Sequence, residues 1–203
     1  MTRWKAFSIA VAVLASVGCG GAQGASTAGD HGKGELPPYP GTLRDLSEVS
    51  GDFSYRQRVT FRRGETTDSM EAVLQKTGSE LVLLALTPMG TRAFLVRQRG
   101  AAIADVQSFV PVPPPVPPEF VLLDVNRVHF MGAGKPSGPD AVSRITRDGE
   151  HIVDEWEGGA LRRRTFSRVD GDPKGTIVIE FGETETRLRN GWLGYELTIT
   201  RLD

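Results

Sequence analysis

The sequence predicts a mainly β fold, an incompletely closed antiparallel barrel of about eleven strands, with a short N-terminal helix and one helix after a Pro-rich crossover. Three observations predict it. Apolar residues alternate with polar ones over short runs, the period of a half-exposed strand. Turn-forming residues separate those runs at regular intervals. The pattern breaks once, at Val110–Pro118 (VPVPPPVPP), where repeated proline removes ladder donors and favours polyproline II.

Leu43, Leu46 and Val49 fall at helical spacing, so Thr42–Val49 reads as a short helix with Thr42 as its N-cap. Tyr55, Gln57, Val59 and Phe61 then alternate with Arg56, Arg58, Thr60 and Arg62 as a first strand. Thr67–Lys76 follows, with Met70, Ala72 and Leu74 on one face. Glu80–Leu86 is an unbroken apolar run, buried on both faces or lining a cavity. Arg92–Gln98 and Ala102–Ser108 complete the first half. After the proline run, Pro118 near N1 and Glu119 in the first turn start a helix reaching about Phe130, with Val121, Val125 and Val128 on one face. Asp148-Gly149 and Asn190-Gly191 are hairpin signals among six further strands ending in Tyr195–Leu202. A helix across the mouth of an open sheet also covers edges that would otherwise invite pairing.

The chain has 24 basic and 25 acidic side chains and a single cysteine, Cys19. This excludes an internal disulfide and a cysteine metal site, and the charge has no basic stripe of the kind nucleic acid needs. Arg3 and Lys5 precede an uncharged run, Ala6–Val17, too short to span a bilayer but suited to a signal peptide. It ends in Ser16-Val17-Gly18-Cys19. This tail resembles the bacterial lipobox, in which the cysteine is lipidated and becomes the new N-terminus. Ser16 departs from it, a branched aliphatic residue being more usual there. The reading is therefore a signal peptide over 1–18, a lipidated Cys19 on a flexible Gly/Pro tether over 19–40, and a β domain over 41–203. Gly20–Glu35 carries six glycines and no large apolar side chain, as a tether would. Two or more acyl chains give a firm anchor where one gives a marginal one. Gly20 lacks an acidic side chain of the kind that retains lipoproteins at the inner membrane, so the expected location is the outer membrane, facing the periplasm.

No nucleophile elbow, zinc-protease helix, P-loop or dinucleotide fingerprint occurs. His31 has no partner at ligand spacing, and His129 and His151 read as capping or surface residues. Asp154, Glu155 and Glu157 face Arg162, Arg163 and Arg164 in sequence, and cross-strand pairing on a solvent face accounts for them without acid–base chemistry. No enzyme, cofactor or metal site is expected.

The order of motifs resembles a family. Cys19 is followed by Leu36-Pro37-Pro38, then Val73-Leu74-Gln75, then a strand–turn–strand from Leu81 to Phe94 through Thr87-Pro88-Met89-Gly90. A proline-rich segment leads to the helix, and the chain closes on Asn190-Gly191-Trp192-Leu193-Gly194-Tyr195-Glu196-Leu197-Thr198-Ile199. This is similar to an uncharacterised family of bacterial lipoproteins grouped with the lipoprotein-localisation (LolA/LolB-like) fold. The resemblance implies a curved sheet, imperfectly closed by helices, around an apolar cavity for acyl chains. It also implies that Met89 is the residue able to act as an exposed apolar contact on the rim, although its turn is short and the stronger reading is an ordinary turn residue packing on the rim.

The residues expected to line such a cavity are Val59, Phe61, Leu83, Phe94, Val96, Trp156, Phe166 and Ile179, which any β domain would equally use as core. The leading functional expectation is a non-catalytic module binding acyl chains of a lipid or lipoprotein. The alternative is a structural or accessory lipoprotein of an envelope assembly that holds no ligand. The expected partners are the membrane through the anchor, lipid or lipoprotein acyl chains, or an envelope assembly, and not nucleic acid.

Overall fold

The computed structural model describes residues 39–111, 116–136 and 138–202. The leader, Cys19 and the glycine-rich segment lie outside them. Among the described residues there are eleven strands and one α-helix. The strands of the first half are Phe53–Arg63 (β1), Thr66–Thr77 (β2), Glu80–Leu86 (β3), Arg92–Arg99 (β4) and Ala102–Ser108 (β5). Helix α1, Pro118–His129, follows. Then come Ala141–Arg147 (β6), Glu150–Glu157 (β7), Ala160–Arg168 (β8), Ile177–Phe181 (β9), Glu185–Asn190 (β10) and Tyr195–Arg201 (β11).

All eleven strands form one antiparallel sheet in the order β5-β4-β3-β2-β1-β11-β10-β9-β8-β7-β6. Each half is a meander of hairpins, and β1 pairs with β11 to join them, Val59 opposite Ile199 and Phe61 opposite Leu197. The edges β5 and β6 do not pair, so the sheet stays open. The β4–β5 ladder slips register between Arg97 and Gln98, and such a bulge blunts the free edge.

The period of two fixes the inner face. Leu74, Leu81, Val96, Ile152, Phe166, Ile177, Ile179 and Leu188 all have no exposed surface. They divide into two clusters, one centred on β7–β11 and one on β2–β4. Helix α1 contributes Val128 to the first and Leu122 and Val125 to the second, so it bridges the two halves of the sheet. Pro118 at its start is tolerated because the first turn has no internal acceptor for the missing N–H.

Three local expectations change. The N-terminal helix shrinks to one 3-10 turn, Leu46–Glu48, and Asp45 rather than Thr42 caps it, accepting from Ser47 N. Thr42 Oγ1 instead donates to Asp148 Oδ2. Asp148 and Gly149 both take positive φ, 52° and 79°, as a tight two-residue hairpin requires. At Asn190-Gly191, however, the chain spends four residues between the strands, and positive φ falls on Gly194 (69°). Gly191 is there for space: a Cβ would lie 2.7 Å from Thr176 O and 2.8 Å from Lys174 O.

The segment Tyr39–Val49 runs over the outer side of α1. It starts beside the β6–β7 turn, at Thr42 and Asp148, and reaches the β4–β5 turn, where Leu46 N donates to Gly100 O. Leu46 is fully buried beneath it. The helix therefore lies between the sheet and a strap formed by the start of the domain.

Candidate functional site: a crevice beneath the helix

The inner face of β1, β2, β4 and β11 meets α1 incompletely. One crevice of about 70 Å³ is lined by Val59, Phe61, Met70, Phe94, Val116, Val121 and Leu197, with Asp68 and Tyr195 beside them. A second of about 40 Å³ continues it inward past Leu83, Ala85 and Val125. The two share Val59, Met70, Phe94, Val121 and Leu197. Their walls are almost entirely carbon. A larger hollow of about 340 Å³ lies beside the β10–β11 turn, but it is open and ringed by Arg62, Arg189 and Glu196. It offers no enclosure, so the crevice under the helix is the candidate site.

Of the residues expected to line a cavity, Val59, Phe61, Leu83 and Phe94 face these crevices. Val96, Phe166 and Ile179 pack in the solid parts of the two clusters and line neither. Trp156 is half-buried on β7, with its indole N–H shielded and without a partner. Met89 is 91 % exposed at the β3–β4 turn and touches neither crevice. Cys19 lies outside the described residues.

What seats the helix was not read from the sequence. Asn126 and Arg127 lie on the side of α1 away from the valines and Asp124 flanks Val128, and all three are buried. Asp124 accepts from the hydroxyls of Tyr39 and Tyr195, from Asn190 Nδ2 at 3.2 Å and from Arg127 NH1 at 3.0 Å. Arg127 also donates to Glu150 Oε1 at 3.1 Å and to the Pro40 carbonyl. Its guanidinium lies 4.8 Å from the Tyr39 ring centroid and 5.5 Å from that of Phe166. Asn126 joins Gln98 Oε1 at 2.9 Å to Arg44 N at 3.0 Å. Sheet, helix and strap thus meet in one buried polar network.

One cation serves two carboxylates there. Burial outweighs Arg127 at Glu150 and lifts its pKa above the ordinary carboxylate range. At Arg127, burial is outweighed by Tyr39, Asp124 and Glu150, which together hold the guanidinium charged. Burial and the neighbouring Asp124 push Tyr39 and Tyr195 well above ordinary phenols, so both stay protonated and donate.

A second buried pair corrects the solvent-face reading of the β7–β8 charges. Asp154 and Arg164 stand opposite one another on the inner face, bidentate at 2.7 and 3.1 Å. Arg164 NH1 also donates to the carbonyls of Arg127 at 2.9 Å and Val128 at 3.5 Å, satisfying the C-terminal end of α1. Asp154 Oδ2 accepts from Ala133 N at 2.8 Å. Glu155, Glu157, Arg162 and Arg163 are exposed as expected, with Glu155 opposite Arg163 and Arg162 Nε 3.9 Å from Glu157. A signal was available: Asp154 alternates with Ile152 on an inward face, and an inward carboxylate demands an inward cation.

Among the described residues no helix is long and apolar enough to cross a membrane, and no group of side chains has metal-ligand geometry. The curated proteins contain no match to the chain. Residues 54–203, from β1 to the last residue of the chain, match the family described as protein of unknown function (DUF3261), and the chain belongs to that family.

Proposed function

We propose that the domain is a non-catalytic lipoprotein module that shelters an acyl chain of a lipid or lipoprotein between α1 and the inner face of the sheet. The observation that carries this reading is the pair of carbon-walled crevices running beneath α1 from Val116 to Leu83. An alkyl chain there would gain affinity mainly from removal of its surface from water. The resemblance to the lipoprotein-localisation fold supports the same reading, as does the open sheet with a helix across its mouth. The volumes are well below the ~300 Å³ at which ligand pockets usually begin. Binding a long chain therefore requires α1 to move outward, and the polar network with the strap sets the cost of that movement. The Ser16–Cys19 tail supports anchoring through a lipidated Cys19, at the outer membrane facing the periplasm.

The test is uptake of a fluorescent fatty acid by the full chain and by Val59→Phe. Val59 faces both crevices, so a phenyl ring there fills them with little strain and should hold or raise Tm. The expected result is dye uptake by the wild type and at least a tenfold loss in the variant. No uptake by the wild type, or equal uptake by both, sinks the reading. The small volume favours a second reading in that event, an accessory envelope lipoprotein with a filled core, to be identified by a captured protein partner.

A further inference from the structure

The inner crevice ends at a recess of different chemistry. Gln57, His129 and Ile199 line both the 40 Å³ crevice and an open hollow of about 250 Å³. Tyr55, Arg201 and the β9–β10 turn, Gly182–Thr186, form the rest of that hollow. The apolar path thus reaches the surface at a polar mouth.

Gln57 marks it. Its position on β1 faces inward between Tyr55 and Val59, opposite Ala72 and Arg201, and it is only 4 % exposed. Yet its amide makes no side-chain hydrogen bond to any described residue, and it is not sealed from the recess. The amide opens on the recess, and its four hydrogen-bonding positions are left for a molecule that enters there. Beside it the Tyr55 hydroxyl lies 3.0 Å from His129 Nδ1. Phe53 stacks on Tyr55 at 5.1 Å, and Phe130 lies 5.9 Å from the His129 ring, so both rings are held in place.

We propose that this recess binds the uncharged, hydroxyl- or ester-bearing head of an amphiphile of the acylglycerol class, whose chain lies in the crevice beneath α1. The proposal rests on the acyl-chain reading and adds the head to it. The inner wall consists of groups that donate and accept without charge: an amide, a phenol and an imidazole. Burial raises the Tyr55 pKa to about 12 against the opposing effect of Arg201, so the phenol stays protonated. Burial and the charge of Arg164 lower that of His129 to about 4, so the imidazole is neutral. His129 is exposed on the side of the open hollow, and burial of the rest of the ring together with Arg164 sets the downward direction of the shift. The charges at the rim give no site for an anion. Glu185 is paired with Arg187, Glu183 is a further negative charge, and Arg201 lies with its guanidinium 5.0 Å from the Tyr55 ring centroid. With Glu185 paired to Arg187 and Glu183 offset by Arg201, the rim carries no excess of cations to favour a phosphate or carboxylate head, whereas a glycerol hydroxyl or ester carbonyl matches Gln57, Tyr55 and His129.

The experiment uses the full chain with a photoreactive 1-monoacylglycerol, competed by unlabelled monoacylglycerol, free fatty acid or lysophosphatidylcholine of the same chain length. Crosslinked peptides are mapped by mass spectrometry. The expected result is that monoacylglycerol competes at least tenfold better than the other two. In Gln57→Leu that preference disappears while Tm stays at or above the wild-type value, because the substitution removes an unpartnered amide. A merely structural Gln57 would instead lower Tm and weaken all three lipids alike, which overturns the proposal. Should Gln57→Leu fail to fold, Tyr55→Phe removes one hydroxyl from a half-exposed ring and is expected to lose most of the preference. Equal competition by all three lipids overturns the head site and leaves the acyl-chain reading standing. No binding of any of them overturns both.

Discussion

Replacing Arg127 by Met probes the polar network that seats α1. The guanidinium has no exposed surface, and its two carboxylate partners have side chains about 2 % exposed. Methionine keeps a long apolar stem against Phe166 and Tyr39, so little of the effect comes from lost volume. What is lost is the cation that hydrogen-bonds both Asp124 and Glu150. Removing one partner of a buried pair costs about 3–5 kcal/mol, because the remaining charge stays buried. For a domain of this size 1 kcal/mol moves Tm by about 2–4 °C, so the expected fall is roughly 6–20 °C. The pH dependence separates this cause from a packing defect. Glu150 already sits above the ordinary carboxylate range through burial, with Arg127 opposing the shift. Without Arg127 the folded-state pKa of Glu150 rises further above its unfolded value. Between those two values the folded state binds more protons than the unfolded one, so stability rises as pH falls through the folded pKa. The deficit against the wild type is therefore largest above neutrality and shrinks toward pH 5. Thermal melts followed by circular dichroism at pH 8 and pH 5 measure it. A fall of less than 2 °C at pH 8, or a deficit that does not shrink at pH 5, refutes the argument.

Gly132→Ala should be nearly as harmful, although Gly132 does not adopt a positive φ. A Cβ would lie 2.2 Å from Arg164 NH2 and 2.8 Å from Asp154 Oδ2, and the pair cannot give way without releasing the end of α1, so a loss of about 3 kcal/mol is expected by denaturant unfolding; a loss below 1 kcal/mol counts against that packing. His129 should titrate near pH 4 by NMR, far below free imidazole. Because its folded pKa is depressed, stability present above pH 6.5 is lost as pH falls toward 4, and His129→Gln should flatten that part of the profile; an imidazole titrating near 6.5 contradicts it. Cys19→Ala should abolish incorporation of a palmitate analogue and release the protein from membranes, and label persisting in the variant would end the lipoprotein reading.

Much of the fold was legible in the sequence because a β meander writes itself in short-range signals. The alternation Gln57-Val59-Phe61 against Arg56-Arg58-Thr60 fixes which side of β1 is buried, and the structure has that face inward. Helix α1 begins at Pro118, where the proline run ends, since nothing else in the chain combines an N1 proline with a helical period. Asp148-Gly149 needs only local backbone sterics to make its turn. A period of two or 3.6 tells which side chains share a face, and the inner face follows from where the apolar ones fall.

The site was legible only in part. That Val59, Phe61, Leu83 and Phe94 face a space while Val96, Phe166 and Ile179 pack solidly depends on where α1 settles across the sheet. The same holds for Asp124, Asn126 and Arg127. On an isolated helix Asn126 and Arg127 lie opposite the valines and Asp124 at their flank, and nothing local to the helix demands their burial. They are buried because the strap from Tyr39 to Val49 passes over that side and Glu150, Tyr195 and Asn190 close around it. Tyr39 and Asn190 are 151 residues apart, and Asp124 and Tyr195 are 71. Periodicity reports the neighbours a residue has along its own element, and so the sequence by itself determined strands, turns and inner faces. Which elements cover one another, and hence which polar groups must find partners away from water, is decided by contacts distant in the chain, and only the tertiary structure holds those.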